Sequence, residues 1–377
     1  MRTDLALLNF GGPQTPEEVQ PFLFELFADP NVIKLPFSSL LQERFAGLIS
    51  KKRAPKIGPH YKHIGFSPLV GTSREQAKLL EEKLADLGTK IWLGMRYTEP
   101  SIAGMVKEIA ENPPERLVAL ALYPHFSITT TGSHFNVLSE EWKKAGLQHI
   151  PIQYIPAFYH HPAYNQAMKT LIEQTVEGLD ENAHILFSAH GVPVSYYKDL
   201  ADPYPDQIKQ SVRLIMEQVQ GPHKHTLCFQ SRVGPVRWLG PSTEEEIIRL
   251  SRAGITDVVV VPMSFTTEGI ETLYEIDVEF GEVAERYGVK LHRVPTVDTQ
   301  PSFIECLNDI VRKALGDHSH QGLGEHQCVR CILPKPHSHR TRVECVECGF
   351  RTPEYLLRLP ALKKAAAKAA EAAHSSS

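Results

Sequence analysis

Leu117-Val-Ala-Leu-Ala-Leu-Tyr-Pro-His-Phe-Ser127 and Val258-Val-Val-Val-Pro-Met-Ser-Phe-Thr-Thr267 follow one pattern. Each has a short apolar run, a proline, a Ser and Phe pair and a Thr-rich turn. Runs this short and this rich in Val, Leu and Ala read as strands buried on both faces, as in parallel sheets covered by helices. The recurrence, once in each half of the chain, predicts two similar α/β lobes.

Working outward, further strands are expected at Asp4–Phe10, Lys90–Met95, Ile152–Ile155, His184–Ser188, Thr226–Phe229 and Lys290–Val294. Amphipathic stretches between them predict helices at Ser73–Leu87, Tyr164–Gly178, Asp206–Val219, Thr243–Ala253 and Gly269–Tyr287, with Ser73, Asp206 and Thr243 as starting caps. The fold class is therefore α/β: two Rossmann-like lobes with parallel sheets, residues 1–158 and 159–316. Residues 317–377 form a small extension with a cysteine cluster and an Ala/Lys-rich tail. No G-x-G-x-x-G or G-x-x-x-x-G-K-[ST] occurs, so no nucleotide is implied.

Composition narrows the function classes. A formal net charge of -4 gives no broad cationic field, which argues against nucleic acid as the main partner. The apolar runs are of strand length, too short to span a bilayer. The first residues read as a strand and not as an export signal, so a cytoplasmic location is expected. Residues 21–49 carry Phe22, Leu23, Leu26, Phe27, Ile33, Leu35, Phe37, Leu40, Leu41, Phe45 and Leu48, more apolar surface than one surface helix needs. Two readings stand: a helical pair packed on the core, or a lip around a flat apolar ligand that also touches a membrane face.

Three features carry chemistry. Glu271, Glu275 and Glu279 recur at a spacing of four among Ile270, Leu273, Tyr274, Ile276, Val278 and Phe280. That leaves little helix circumference for water, and carboxylates held near a core tend to bind metal or move protons. His190 ends a buried strand, where ligand sites of open α/β sheets gather, and a neutral imidazole can accept a proton or ligate Fe²⁺. Cys328-x2-Cys331 and Cys345-x2-Cys348 have the two-knuckle spacing of a tetrahedral thiolate site. Zn²⁺ follows most directly from that spacing, with a [2Fe–2S] cluster as its competitor. Cys228 and Cys306 are expected as buried free thiols.

Eight segments, in order along the chain, resemble the ferrochelatase (protohaem ferro-lyase) family. They are Leu8-Asn-Phe-Gly-Gly-Pro13, Lys52-Arg-Ala-Pro-Lys-Ile57, Gly65-Phe-Ser-Pro-Leu69 and Gly94-Met-Arg-Tyr97, then Tyr123-Pro-His-Phe-Ser127 and Ser188-Ala-His-Gly191. Gln230-Ser-Arg-Val-Gly-Pro235 with Trp238-Leu-Gly-Pro241, and Ile270-Glu-Thr-Leu-Tyr-Glu275, complete the set. The resemblance implies a porphyrin in the cleft between two Rossmann-like lobes, Fe²⁺ as substrate and haem as product. It places His190 and Glu271 on the catalytic positions, with Glu275 and Glu279 continuing a metal path. Phe10, Arg53, Tyr61 and Ser67 fall where the family lines the porphyrin pocket or meets its propionates, and Trp238 is a further candidate wall.

The chain departs from that family in two places. Many relatives have a histidine two residues before the glutamate matching Glu271; here Gly269 stands there, preceded by Glu268 in place of aspartate. Ile128 lies in the segment where animal-type relatives carry a cluster cysteine, and the cysteine spacing also differs, which favours Zn²⁺ slightly. The expected substrate is protoporphyrin IX, because Phe10 and the long lip suit the less polar porphyrin. Coproporphyrin III is the alternative substrate, and a non-catalytic tetrapyrrole or haem carrier is the alternative class. The oligomeric state is left open.

Overall fold

The computed structural model describes residues 2–32, 39–200, 202–232, 234 and 236–316. The four-cysteine set therefore lies outside the described residues. Two four-stranded parallel sheets form the frame. The first contains β1 (Thr3–Asn9), β2 (Ile91–Met95), β3 (Arg116–Ala121) and β4 (Ile152–Ile155), in the order β2-β1-β3-β4. The second contains β5 (His184–His190), β6 (His225–Gln230), β7 (Asp257–Pro262) and β8 (Lys290–Arg293), in the order β6-β5-β7-β8. The two orders are the same arrangement repeated. The repeated sequence pattern falls on β3 and β7, which occupy matching places.

Leu117–Ala121 and Val258–Pro262 are fully enclosed, as expected of central strands covered on both faces. Leu5, Leu7 and Leu120 of the first sheet share one continuous apolar cluster with Phe187, Val259 and Val261 of the second. Phe303, Leu307 and Val311 of α11 (Pro301–Leu315) also belong to it, so the two lobes are fused through a common core.

The boundaries move in instructive ways. Ser73 lies inside α3 (Leu69–Lys83), buried and bonded to the Asn9 amide, so it is not a cap. Asp206 falls in the first turn of α8 (Tyr204–Met216), and Thr243 is the first residue of α9 (Thr243–Arg252). The cap of α9 is Ser242, which forms a reciprocal capping box with Glu245. Strand β5 runs two residues beyond its expected end, through His190. That places the histidine on regular backbone.

Of the two readings of residues 21–49, the described residues show the packed helical pair; Ile33, Leu35 and Phe37 lie outside them. Phe22, Leu23 and Phe27 of α1 (Val19–Ala28) are buried with Ala46 and Tyr61 of α2 (Ser39–His63), making a packed helical pair. Leu41 and Leu48 face outward, 45% and 72% exposed. Among the described residues, no helix is long and apolar enough to cross a membrane.

Candidate active site

Each sheet changes winding direction between its two central strands, and open α/β sheets place ligands at that crevice, beyond the carboxyl ends. One cavity collects all four such ends. Asn9, Phe10 and Gly11 follow β1, and Leu122, Tyr123 and His125 follow β3. His190 and Val192 come from β5, and Ser264–Thr267 from the end of β7. Tyr61 of α2, Phe22 of α1, Ile270 and Glu271 also line the cavity. The lining is apolar and hydroxyl-rich. Among the described residues that line it, none is lysine or arginine.

His190 is held by its backbone, which leaves its ring free for chemistry. Its N–H donates to Ser264 Oγ at 3.3 Å, and its carbonyl accepts from Tyr204 Oη at 3.0 Å. Tyr204 Oη and Ser264 Oγ also bond to each other, closing a small ring of contacts. Burial lowers the imidazole to about 4, so it is neutral at pH 7. Phe265 packs edge-on against it, with ring centroids 6.2 Å apart.

Glu271 opens a π-helical segment, Glu271–Phe280. Thr272 ties down the turn before it: the Gly269 N–H donates to Thr272 Oγ1 at 2.9 Å, and the Thr272 hydroxyl donates to the Gly269 carbonyl at 3.1 Å. Burial, reinforced by the charge of Glu275, raises the Glu271 carboxyl to about 7. It can therefore carry or release a proton near neutrality. A Cβ at Gly269 would lie 3.1 Å from Glu271 Oε2, so the missing side chain leaves room for that carboxyl.

Glu275 does not line the cavity. It is turned toward the end of β6, where it accepts from Ser231 N at 2.7 Å, Ser231 Oγ at 2.5 Å and Gln230 Nε2 at 3.3 Å. Glu279 lies further along the segment and is likewise absent from the lining.

Of the expected pocket residues, Phe10, Tyr61 and Ser67 line the cavity. Phe10 meets Tyr97 edge-on at 4.6 Å, and burial beside Glu271 pushes the Tyr61 phenol well up. Arg53 and Trp238 do not line it. The Arg53 guanidinium sits 5.8 Å from the centre of the Phe27 ring. Trp238 pairs with Pro193 in an isolated antiparallel bridge, and its ring lies 3.4 Å from where a Cβ on Gly191 would stand.

His125 is one of the lining residues that sequence reasoning left without a role. Its ring stacks on Tyr159 at 5.6 Å and meets Tyr204 edge-on at 6.2 Å. Both ring nitrogens lack partners, and burial lowers the imidazole to about 3. Its signal was present, a histidine just past a buried strand and a proline, within a quoted motif.

Residues 2–315 match the ferrochelatase family. The chain belongs to this family. It is an enzyme that inserts ferrous iron into a porphyrin. It is 47% identical over 323 residues to the ferrochelatase of Synechocystis sp., covering 84% of this chain and 83% of that one. The ferrochelatase of Picosynechococcus sp. is 46% identical over 321 residues, covering 83% of each chain. Among solved structures, SirB from Bacillus subtilis with Fe³⁺ superposes with a TM-score of 0.53 at 13% identity. That match covers 85% of this chain and 99% of SirB, and it speaks for the two-lobed fold alone. The ferrochelatase frame thus accounts for a cavity built from both sheets, since a flat macrocycle needs two opposed walls.

Proposed function

We propose that the enzyme makes protohaem by inserting Fe²⁺ into protoporphyrin IX, with His190 and Glu271 as the reacting pair. The observation that carries this reading is their convergence on one apolar cavity without a cationic side chain. Coproporphyrin III brings more carboxylates, and burying those without cationic partners is costly.

Free-base porphyrin has two inner N–H groups where the metal must enter. Contact with the walls formed by Phe10, Tyr61 and Ile270 supplies binding energy to bend the ring and turn nitrogen lone pairs outward. The neutral His190 ring accepts one N–H proton, and the resulting imidazolium is stabilised by the Glu271 carboxylate. Glu271 is suited to the second proton, since its carboxyl titrates close to neutrality. Two N–H bonds break, iron–nitrogen bonds form, and two protons leave through the protein. Glu275 and Glu279 then extend from Glu271 as a path for iron or protons.

Three finer readings accompany this one. The cysteine set at 328, 331, 345 and 348 offers four thiolates at knuckle spacing, a donor set that suits Zn²⁺ and, second, a [2Fe–2S] cluster. Metal analysis with an absorption spectrum separates them. The exposed Leu41 and Leu48, with Arg44, Lys51 and Lys52 on the same helix, suit peripheral contact with an anionic membrane face, in keeping with a cytoplasmic location. Arg53 is then a candidate for propionates at the rim and not within the cavity.

The deciding experiment is anaerobic Fe²⁺ insertion, followed by loss of porphyrin fluorescence, with protoporphyrin IX and coproporphyrin III side by side. Faster turnover of protoporphyrin is expected. A coproporphyrin preference overturns the substrate, and tight binding of either without insertion points to a carrier.

A further inference from the structure

Gln230 ends β6 and is 1% exposed, yet every polar atom of its side chain is used. Its Nε2 donates to the Glu271 carbonyl at 3.2 Å and to Glu275 Oε2 at 3.3 Å. Its Oε1 accepts from Ser188 Oγ at 2.6 Å, and Ser188 Oγ lies 2.8 Å from Thr243 Oγ1. The amide has one sensible orientation, because Glu271 and Glu275 present only acceptors on one side while Ser188 supplies a donor on the other. Both N–H groups and the carbonyl are thereby satisfied.

The backbone of Gln230 is tied to the other half of the site. Gln230 pairs in register with His190 on β5, and its carbonyl accepts from Gly191 N at 2.9 Å. The approach is close: a Cβ at Gly191 would fall 2.6 Å from that carbonyl oxygen. One residue therefore touches the strand that carries His190 through its main chain and the segment that carries Glu271 and Glu275 through its side chain. Ser231, the next residue, adds two further donors to Glu275 from a left-handed backbone at φ 62°.

We propose that Gln230 is a positioning residue for metal insertion, setting the glutamates of the π-helical segment against His190. Ser188 acts through it by holding the amide in its working orientation. Gln230 is not among the residues lining the cavity, so its loss should disturb the metal side of the reaction and spare porphyrin binding. Small displacements of reacting groups are enough for large rate losses, on the order of 10²-fold for 1 Å. The inference rests on the assignment of His190 and Glu271 made above.

The test is steady-state insertion by the full chain, wild type beside Gln230→Met, Ser188→Ala and the double variant. Methionine keeps length and bulk but removes the hydrogen bonds. Gln230→Met is expected to lower kcat/KM for Fe²⁺ at least about tenfold, with KM for the porphyrin within about twofold of wild type. Ser188→Ala should show the same split more weakly and add nothing to Gln230→Met, as for residues acting through one another. Unchanged kcat/KM for Fe²⁺, equal losses for both substrates, or additive defects overturn the proposal. Should Gln230→Met fail to fold, Ser188→Ala alone decides by the same split. Absence of insertion by the wild-type chain would instead overturn the functional assignment.

Discussion

Ser231 donates both its backbone N–H, at 2.7 Å, and its hydroxyl, at 2.5 Å, to the carboxylate of Glu275. A carboxylate held by two donors from one residue is not a free ligand in a row of equivalent acids. Glu271, one turn earlier, faces the cavity instead. The two glutamates share a spacing in sequence and have different surroundings, which divides their expected roles.

The first prediction follows from that division. Glu271→Gln and His190→Ala should each abolish measurable turnover while leaving protoporphyrin binding largely intact, read by fluorescence titration. Glu275→Gln should retain more activity than Glu271→Gln. Near-normal insertion by either of the first two variants would remove them from the reacting pair.

The raised carboxyl of Glu271 makes a statement about stability. Its folded pKa of about 7 lies above the usual value of 4.5, so its contribution is fully present below pH 4.5 and is lost as pH rises through 7. Glu271→Gln removes that loss. Thermal unfolding of the two proteins should therefore diverge with rising pH, the variant gaining on wild type between about pH 4.5 and 7 and the difference levelling off above that. A constant difference across that window would show that the carboxyl is not raised.

Gly269 offers a steric test. A Cβ there would stand 3.1 Å from Glu271 Oε2, tighter than ordinary contact. Gly269→Ala should thus lower kcat several-fold by shifting the Glu271 carboxyl, with little change in Tm. An unaltered kcat would mean that the carboxyl has freedom to move aside.

Asp29, at the end of α1, is buried and accepts from Arg96 at 2.8 Å, Tyr97 Oη at 2.7 Å and Ser133 Oγ at 2.5 Å. These bonds join the end of α1 to Arg96 and Tyr97, just past β2, and to Ser133, and Arg96 with the surrounding donors holds the carboxyl below its usual range despite burial. Asp29→Ala would leave a guanidinium largely buried without its partner. Breaking one side of such a pair costs on the order of 3–5 kcal/mol, so the urea midpoint should fall clearly. A midpoint unchanged from wild type would deny the network its structural role.

The two sheets, their strands and the candidate reacting residues were readable from short-range features. Apolar runs of strand length, punctuated by proline and threonine, mark β3 and β7 wherever they pack, because burial on both faces leaves no polar alternation. The ordered family segments carried His190 and Glu271 for the same reason: local sequence around a strand end or helix start is kept together along the chain. Arg53 and Trp238 are not among the residues lining the cavity, because their neighbours along the chain do not decide which way a long side chain turns. Gln230 went unassigned, since a glutamine inside a motif gains its role only from acceptors that lie far off in sequence.

The sequence by itself therefore determined the two-lobed α/β frame, the family and the residue types available for proton and metal chemistry. Only the tertiary structure decided that Glu271 looks into the cavity while Glu275 looks away, that His125 sits in its wall, and that Gln230 bridges the two halves of the site. Periodicity reports how much of an element is buried. Which donor meets which acceptor depends on how separate elements pack, and hydrogen bonds that act over about 3 Å are settled by that packing alone.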